Sequence, residues 1–344
     1  MGWAGRGRIM EEPTIVVQGA LVASVRPSTP TDDELGNRSV IPEVDDDVVV
    51  DGFLMPGVVD RHVHIALADP RQVVGNGVTA VRDLGWVPEI TLPMVRDSES
   101  PSFDGPLIRA VGPIITCPGG YPTRAAWAPE GTGLEVLGAE DAAAAVNAVL
   151  DRTGLPVVKV ALNTDAGPTL SDQELLAICD AAHARDAIVT VHAQGPGQAE
   201  RAVGAGIDEF AHCPWSERLP DDLLRAMARR TRIVSTLDIH SFGRETPELR
   251  TALDNLGRFA AAGGRVAYGT DLGNGSIPPG IHVGEALLLH EAGLEPAAVL
   301  EALTFRPIDA GEPADLVVLG SNPLEDLTAL GDVRAVFRAG RRVR

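Results

Sequence analysis

Lys159 is the only lysine among the 29 lysine and arginine residues of this 344-residue chain. Arginine serves wherever else a positive charge is used, so a lysine here points to a task that arginine cannot perform. A buried lysine amine can lose its proton, whereas a guanidinium cannot. The neutral amine can take up CO2 and become a carbamate, an anion able to bridge two divalent metal ions. Lys159 lies in Leu155-Pro-Val-Val-Lys-Val-Ala161, whose apolar, β-branched character reads as a buried strand.

Histidines and an aspartate recur in the same setting. His62 and His64 end Met55-Pro-Gly-Val-Val-Asp-Arg-His-Val-His64. Strand side chains alternate faces with period two, so both histidines point into one space. His192, His212 and Asp271 close three further β-prone runs, 187–192, 207–212 and 265–271. The successive steps from Lys159 are 33, 20 and 59 residues, which suit one, one and two strand–helix units. Imidazoles and carboxylates suit zinc and similar divalent ions. A single histidine is ordinarily a core or surface residue. Four of them at strand ends, with an aspartate and the sole lysine, point to a metal centre.

The set resembles the amidohydrolase superfamily, and within it the imidazolonepropionase-like and Xaa-Pro dipeptidase-like branch. The likeness is carried by Pro56-Gly-Val-Val-Asp-Arg-His-Val-His64, Gly77-Val-Thr-Ala-Val-Arg-Asp83 and the strand holding Lys159. It continues through Asp180-Ala-Ala-His183, Val191-His-Ala193, Gly206-Ile-Asp-Glu-Phe-Ala-His212, Gly269-Thr-Asp271 and Ala314-Asp-Leu-Val-Val-Leu319. It runs from about Thr14 to Val343. The resemblance implies two divalent ions, zinc by preference, one held by His62, His64 and Asp271 and the other by His192 and His212. Carboxylated Lys159 and a hydroxide would bridge them. Zinc lowers the pKa of bound water from about 15.7 to about 7. Two ions roughly 3.5–4 Å apart can hold the hydroxide and polarise a carbonyl. Asp271 would take the hydroxide's proton and pass it to the leaving nitrogen, and His240, just past the strand 232–237, would either donate to the carbonyl or hold a substrate carboxylate. The expected activity is hydrolysis of a C–N bond in a small amide, cyclic amide or dipeptide. Deamination, isomerisation or carbon–carbon lysis on the same metal barrel is the alternative.

These residues need a scaffold that brings strand ends together. Strands are expected at 57–64, 78–83, 107–112, 156–162, 187–193, 207–212, 232–237 and 265–271. Helices are expected at 139–152, 171–185 (opened by the capping box Ser171 to Glu174) and 248–262. The alternation implies an α/β chain with a (β/α)8 TIM-like barrel over 56–311, with catalytic residues at the C-terminal strand ends. Strand-like runs at both termini suggest a small β-sandwich formed from 10–55 and 312–344. Residues 1–9 read as a disordered extension, with Met10 able to serve as the start, and 27–37 as a surface loop. Twelve residues between His64 and Gly77 leave little room for a helix.

Substrate contacts are expected from Tyr121, Arg124, Trp215 and His240, each following a strand on the same side. Gly119-Gly120-Tyr121 stands where many relatives carry Gly-Gly-His, and the segment after Thr304 is shorter than theirs. His183, His282, His290 and Glu285 read as ordinary helix residues, and Cys213 as packing. A net charge of −19 argues against nucleic acid and anionic membrane as partners. A small-molecule substrate is therefore expected, and self-association as a homo-oligomer is left open. Three cysteines without paired spacing argue against a disulfide framework and for a cytoplasmic location. No apolar run approaches the ~20 residues of a membrane span, and the N-terminus lacks the apolar stretch of a signal peptide.

Overall fold

Parallel pairing organises the interior of the chain in this computed structural model, which describes residues 1–27 and 48–344. Strand β1 (Val58–Val63) pairs with β2 (Val78–Asp83), and β2 with the first half of β3 (Leu107–Ala110). The second half of β3 (Ile114–Thr116) pairs instead with β4 (Val157–Asn163). Between the halves lie Gly112, at φ +79°, and Pro113. Proline offers no N–H to a ladder, so the strand breaks there and serves one neighbour with each half. Next in order come β5 (Ile188–Gln194), β6 (Glu209–Phe210), β7 (Arg232–Val234) and β8 (Arg265–Ala267), all parallel.

The ring closes between β8 and β1. Arg61 N–H donates to the Tyr268 carbonyl at 3.1 Å, Asp271 N–H to the His62 carbonyl at 2.7 Å, and Val63 bridges Leu272 in parallel. Gly269 permits this approach: a Cβ there would meet Val234 Cγ1 at 2.3 Å and the His62 nitrogen at 3.1 Å. The chain therefore forms the expected (β/α)8 barrel. All seven residues of β4 are buried, as a parallel strand covered on both faces requires. Deep in the barrel, fully buried Glu209 is satisfied by Arg82 and Arg232 at 2.5 Å each.

Three helices lie where the amphipathic pattern placed them, at Ala139–Thr153, Asp172–His183 and Pro247–Ala261. The Ser171–Glu174 capping box forms in both directions. The first crossover does accommodate a helix, but only the six residues Pro70–Gly75, preceded by a 3-10 turn at Ile65–Leu67. The last barrel helix is short, Pro296–Leu303.

Both ends of the chain build a second sheet. Its strands, in spatial order, are Arg341–Arg342, Val333–Arg338, Leu316–Leu319, Phe53–Pro56, Gly2–Trp3 and Ile9–Met10. The hairpin Pro13–Gln18 and Leu21–Pro27 packs against it around Val22, Ile308, Ala314 and Leu316. Residues 1–9, expected as a disordered extension, are instead anchored here. Gly2 pairs with Leu54, and Trp3 and Ala4 are wholly buried. The large apolar surface of one indole ring outweighs the glycine and arginine around it. Beyond Pro27, the loop expected over 27–37 lies outside the described residues.

Candidate active site

Period-two alternation on β1 sends Asp60, His62 and His64 to the barrel interior, and the neighbouring strand ends settle which imidazole nitrogen faces the centre. His62 Nδ1 lies 2.7 Å from the Ala211 carbonyl and His64 Nδ1 2.9 Å from the Gly85 carbonyl. A carbonyl only accepts, so each Nδ1 carries the hydrogen and each Nε2 keeps its lone pair. Both Nε2 atoms lie 3.3 Å from Asp271 Oδ1, which is buried and has no hydrogen-bond partner. The ligand atoms of the three residues all fall within 4.8 Å of one another. Burial pushes His62 well below the ordinary histidine range, leaving the neutral form that binds metals.

Lys159, Ala161 and Asn163 share the inward face of β4, as His192 and Gln194 do on β5. The Lys159 Nζ lies 3.2 Å from His62 Nε2, and burial pushes the amine down to about 8 against the pull of Asp271. His212 engages Thr236 Oγ1 through Nδ1 at 2.8 Å, leaving Nε2 free. His192 is the reverse case. Its Nε2 meets Asn163 Nδ2 at 3.2 Å and Gln194 Oε1 at 3.3 Å, so Nδ1 is the free nitrogen. Its ring centroid lies 4.9 Å from that of His212, which lies 4.5 Å from that of His62. Burial, with the Lys159 charge adding, lowers His192 to about 3. The structure thus brings His62, His64, Lys159, His192, His212 and Asp271 to one place.

Buried carboxylates hold the turns that carry these residues. Asp60 accepts the Thr270 hydroxyl at 2.5 Å and the backbone N–H groups of Thr270 and His62 at 3.1 Å each. Asp83 accepts from Ile65 N–H at 2.9 Å and Gly85 N–H at 3.1 Å, which fixes the carbonyl that orients His64. Both residues lie within the sequence motifs, and the period-two rule could have marked Asp60 as facing inward with the histidines. Backbone strain collects here as well: Asp271 has φ +58° and Thr236 φ +42°, the latter an uncommon conformation for a β-branched residue.

A cavity of about 210 Å³ opens above the cluster. Tyr121 stacks on His192 at 4.9 Å, and Trp215 lies 4.3 Å from the His240 ring. His240 sits on the 3-10 turn Asp238–His240 beyond β7 with its Nε2 buried and unpartnered, and burial holds the ring down to about 4. Tyr121, Trp215 and His240 therefore line the cavity as expected. Arg124 does not: it is exposed, with its guanidinium packed beside Gly119. The cavity wall includes Trp127, Gln194, Asn274, Ile114 and Ile239, which sequence reasoning missed. Only Gln194, two residues after His192, carried a signal.

Glu285 is not an ordinary helix residue. It is wholly buried and accepts the N–H groups of Leu237 at 2.8 Å and Asp238 at 2.9 Å, beneath the His240 turn. His282 pairs with Asp238 at 2.7 Å. His183 meets Asp208 at 2.9 Å, His290 Nδ1 meets the Leu294 carbonyl at 2.8 Å, and Cys213 is buried against Ala252; all three lie apart from the cavity lining.

A parallel barrel with imidazoles, a carboxylate and a lysine converging at its C-terminal mouth belongs to the barrel enzymes whose chemistry sits at the strand ends. Residues 53–343 match the model of the amidohydrolase family. The chain belongs to that family and is an enzyme that hydrolyses carbon–nitrogen bonds. Several solved structures share the fold. A Xaa-Pro dipeptidase with methionine bound in its active site superposes with TM-score 0.77 at 21% identity, covering 95% of this chain and 94% of that one. Ochratoxinase from A. niger gives TM-score 0.77 at 19% identity, with coverage of 100% and 94%. Molinate hydrolase gives TM-score 0.79 at 17% identity, with coverage of 99% and 92%. No curated protein sequence matches the chain.

Proposed function

We propose that this enzyme is a metal-dependent hydrolase of the C–N bond in a small amide, cyclic amide or dipeptide. The observation that carries the reading is the convergence of His62 Nε2 and His64 Nε2 on the unpartnered Asp271 Oδ1 at 3.3 Å. Two lone pairs and a carboxylate oxygen that face one another in a buried space are costly unless a cation lies among them. The donor set therefore fits a divalent ion, zinc by preference, held by His62, His64 and Asp271. His192 Nδ1 and His212 Nε2 supply ligands for a second, and Lys159, as its carbamate, would be shared. Such ions, when bound, acidify water and polarise the substrate carbonyl.

The side chains do the remaining work. Asp271 accepts the proton of the attacking water and returns it to the leaving nitrogen, which departs poorly unless protonated. Asn274 Nδ2 donates to Asp271 Oδ2 at 3.0 Å and fixes the carboxylate for that transfer. His240, neutral and with a free Nε2, donates to the carbonyl oxygen. Tyr121 and Trp215 wall off solvent. We assign the barrel domain to 56–311 and the composite sandwich to 10–55 with 312–344, now extended by the docked N-terminus. Pairing of Phe53–Pro56 with Leu316–Leu319 supports that division. Cys117, Cys179 and Cys213 are free and buried, which supports a reducing cytoplasm, and no described helix is long and apolar enough to cross a membrane.

The test is removal and return of metal. Protein dialysed against a chelator should lose hydrolysis of a panel of N-acyl amides, dipeptides and hydantoins, and regain it with zinc and bicarbonate. Full turnover by protein shown to be metal-free would overturn the reading.

A further inference from the structure

Two side-chain amides and one carboxylate gather behind the His192 ring. Gln194 lies two residues beyond His192 on β5, so both side chains leave the strand on one face. Asn163 ends the neighbouring β4, and the following loop folds back onto it. Asn163 Oδ1 accepts the N–H groups of Asp165 at 3.2 Å and Ala166 at 3.1 Å. Thr164 N–H donates to the Gln194 carbonyl at 3.1 Å. Gly195, at φ +101°, lies so close that a Cβ there would overlap the Thr164 hydroxyl. Asp165 is exposed, but these contacts pin its loop and hold its Oδ2 3.0 Å from Gln194 Nε2.

A carboxylate only accepts and an amide nitrogen only donates, so this bond fixes which end of the Gln194 amide faces His192. It is the oxygen, which accepts Asn163 Nδ2 at 2.9 Å and lies 3.3 Å from His192 Nε2. Both polar ends of Gln194 are thus engaged by neighbours, although the residue borders the cavity. Asn163 Nδ2 also lies 3.2 Å from His192 Nε2. Its shorter bond is to Gln194, and it could donate to the ring only in the tautomer that puts the hydrogen on Nδ1. Tyr121, stacked on the ring at 4.9 Å, holds its plane. We infer that Asp165 and Gln194 form a relay that keeps the hydrogen on His192 Nε2 and presents the Nδ1 lone pair to the second ion; the inference rests on the metal reading of the site. Both are positioning residues that act through His192. An acceptor fixed behind a ligand imidazole sets its tautomer and raises its basicity. Without Asp165 the Gln194 amide is free to turn and offer the ring its nitrogen, a donor.

Chelator competition on zinc-loaded protein is the test. Wild type should release two zinc ions per chain. Gln194→Met, of similar length but without the acceptor, should hold one of them about 10- to 100-fold more weakly, and Asp165→Ala should fall between. The exchange of Asp165→Asn together with Gln194→Glu restores an oxygen behind His192 and a donor to hold it, and should return the affinity to that of wild type or above. Unchanged zinc affinity in Gln194→Met, or an exchange variant that binds no tighter than Gln194→Met, overturns the relay. Wild type that binds fewer than two zinc ions would count against the metal reading alone. The 15N signals of the histidine rings, with His192 assigned by comparison with His192→Asn, then decide the relay by themselves. Hydrogen on Nε2 in wild type that moves towards Nδ1 in Gln194→Met supports it; hydrogen on Nδ1 in wild type, or on Nε2 in both, overturns it.

Discussion

The Glu285 carboxylate accepts the backbone N–H of Asp238 at 2.9 Å, and through this bond the helix Val283–Glu291 sets the height of the turn that carries His240. Its other oxygen holds Leu237. Loss of the side chain leaves both N–H groups without an acceptor in a buried place, at about 1–3 kcal/mol each. Glu285→Ala is expected to lower the melting temperature by several degrees and kcat/KM at least tenfold, with metal content unchanged. Glu285→Gln, which keeps one acceptor oxygen, should fall between. A melting-temperature loss with an unaltered kcat/KM would confine Glu285 to folding.

Beside it, Asp238 ties His282 into the same turn. The His282 hydrogen bond, with those from Ser241 and Gly243, draws the Asp238 carboxyl from 3.8 down to about 2 in spite of burial. A depressed carboxyl contributes stability that is complete above its unfolded value and lost as pH falls through its folded one. Acid unfolding of wild type and Asp238→Asn should therefore differ by about 2 kcal/mol above pH 4, and the difference should shrink as pH falls through about 2 and be gone near pH 1. A gap that persists near pH 1 would mean that packing, not charge, is responsible.

Elemental analysis should find close to two equivalents of divalent metal per chain after growth with zinc and bicarbonate. The expectation follows from the convergence of four histidines with Asp271 and Lys159 at one cavity. One equivalent or fewer would indicate a mononuclear site, with Lys159 reduced to a hydrogen-bonding role.

Lys159→Arg should cut activity at least a hundredfold. Guanidinium keeps its proton and cannot form a carbamate, and it would set a permanent positive charge among cations in a buried site. Lys159→Ala should also be poor, but a short carboxylic acid in the buffer should partly restore it. Normal turnover and two bound metals in Lys159→Arg would refute the bridging role.

Substitutions in the cavity wall should separate selectivity from metal binding. Trp215→Ala and Tyr121→Phe are expected to change relative kcat/KM between substrates while metal content holds. Arg124→Ala should alter neither, since its side chain lies outside the wall. Unchanged substrate ratios in both wall variants would place selectivity elsewhere.

Much of this site was legible in one dimension because its signals are local. The pleat of a strand has period two, so His62 and His64 must share a face wherever β1 lies, and Asn163 and Gln194 follow by the same rule from Lys159 and His192. The spacing of strand ends likewise encodes a barrel, since each strand–helix unit occupies a similar length of chain. The Ser171 capping box forms because it needs only four consecutive residues.

What the tertiary structure alone decided are relations between distant segments. Which imidazole nitrogen faces the centre depends on carbonyls 149 residues away for His62 and 21 away for His64. Glu285 is indistinguishable in sequence from other helix carboxylates until its helix packs beneath the turn at Asp238, 47 residues earlier. Trp3 reads as part of a glycine- and arginine-rich end until its strand docks beside Phe53–Pro56. Arg124 follows the same strand as Tyr121, yet the loop sends one ring into the cavity and one guanidinium out. In each case a side chain's role is set by the partner its backbone brings within hydrogen-bonding or packing distance. Such short-range forces cannot be read from positions that are far apart along the chain.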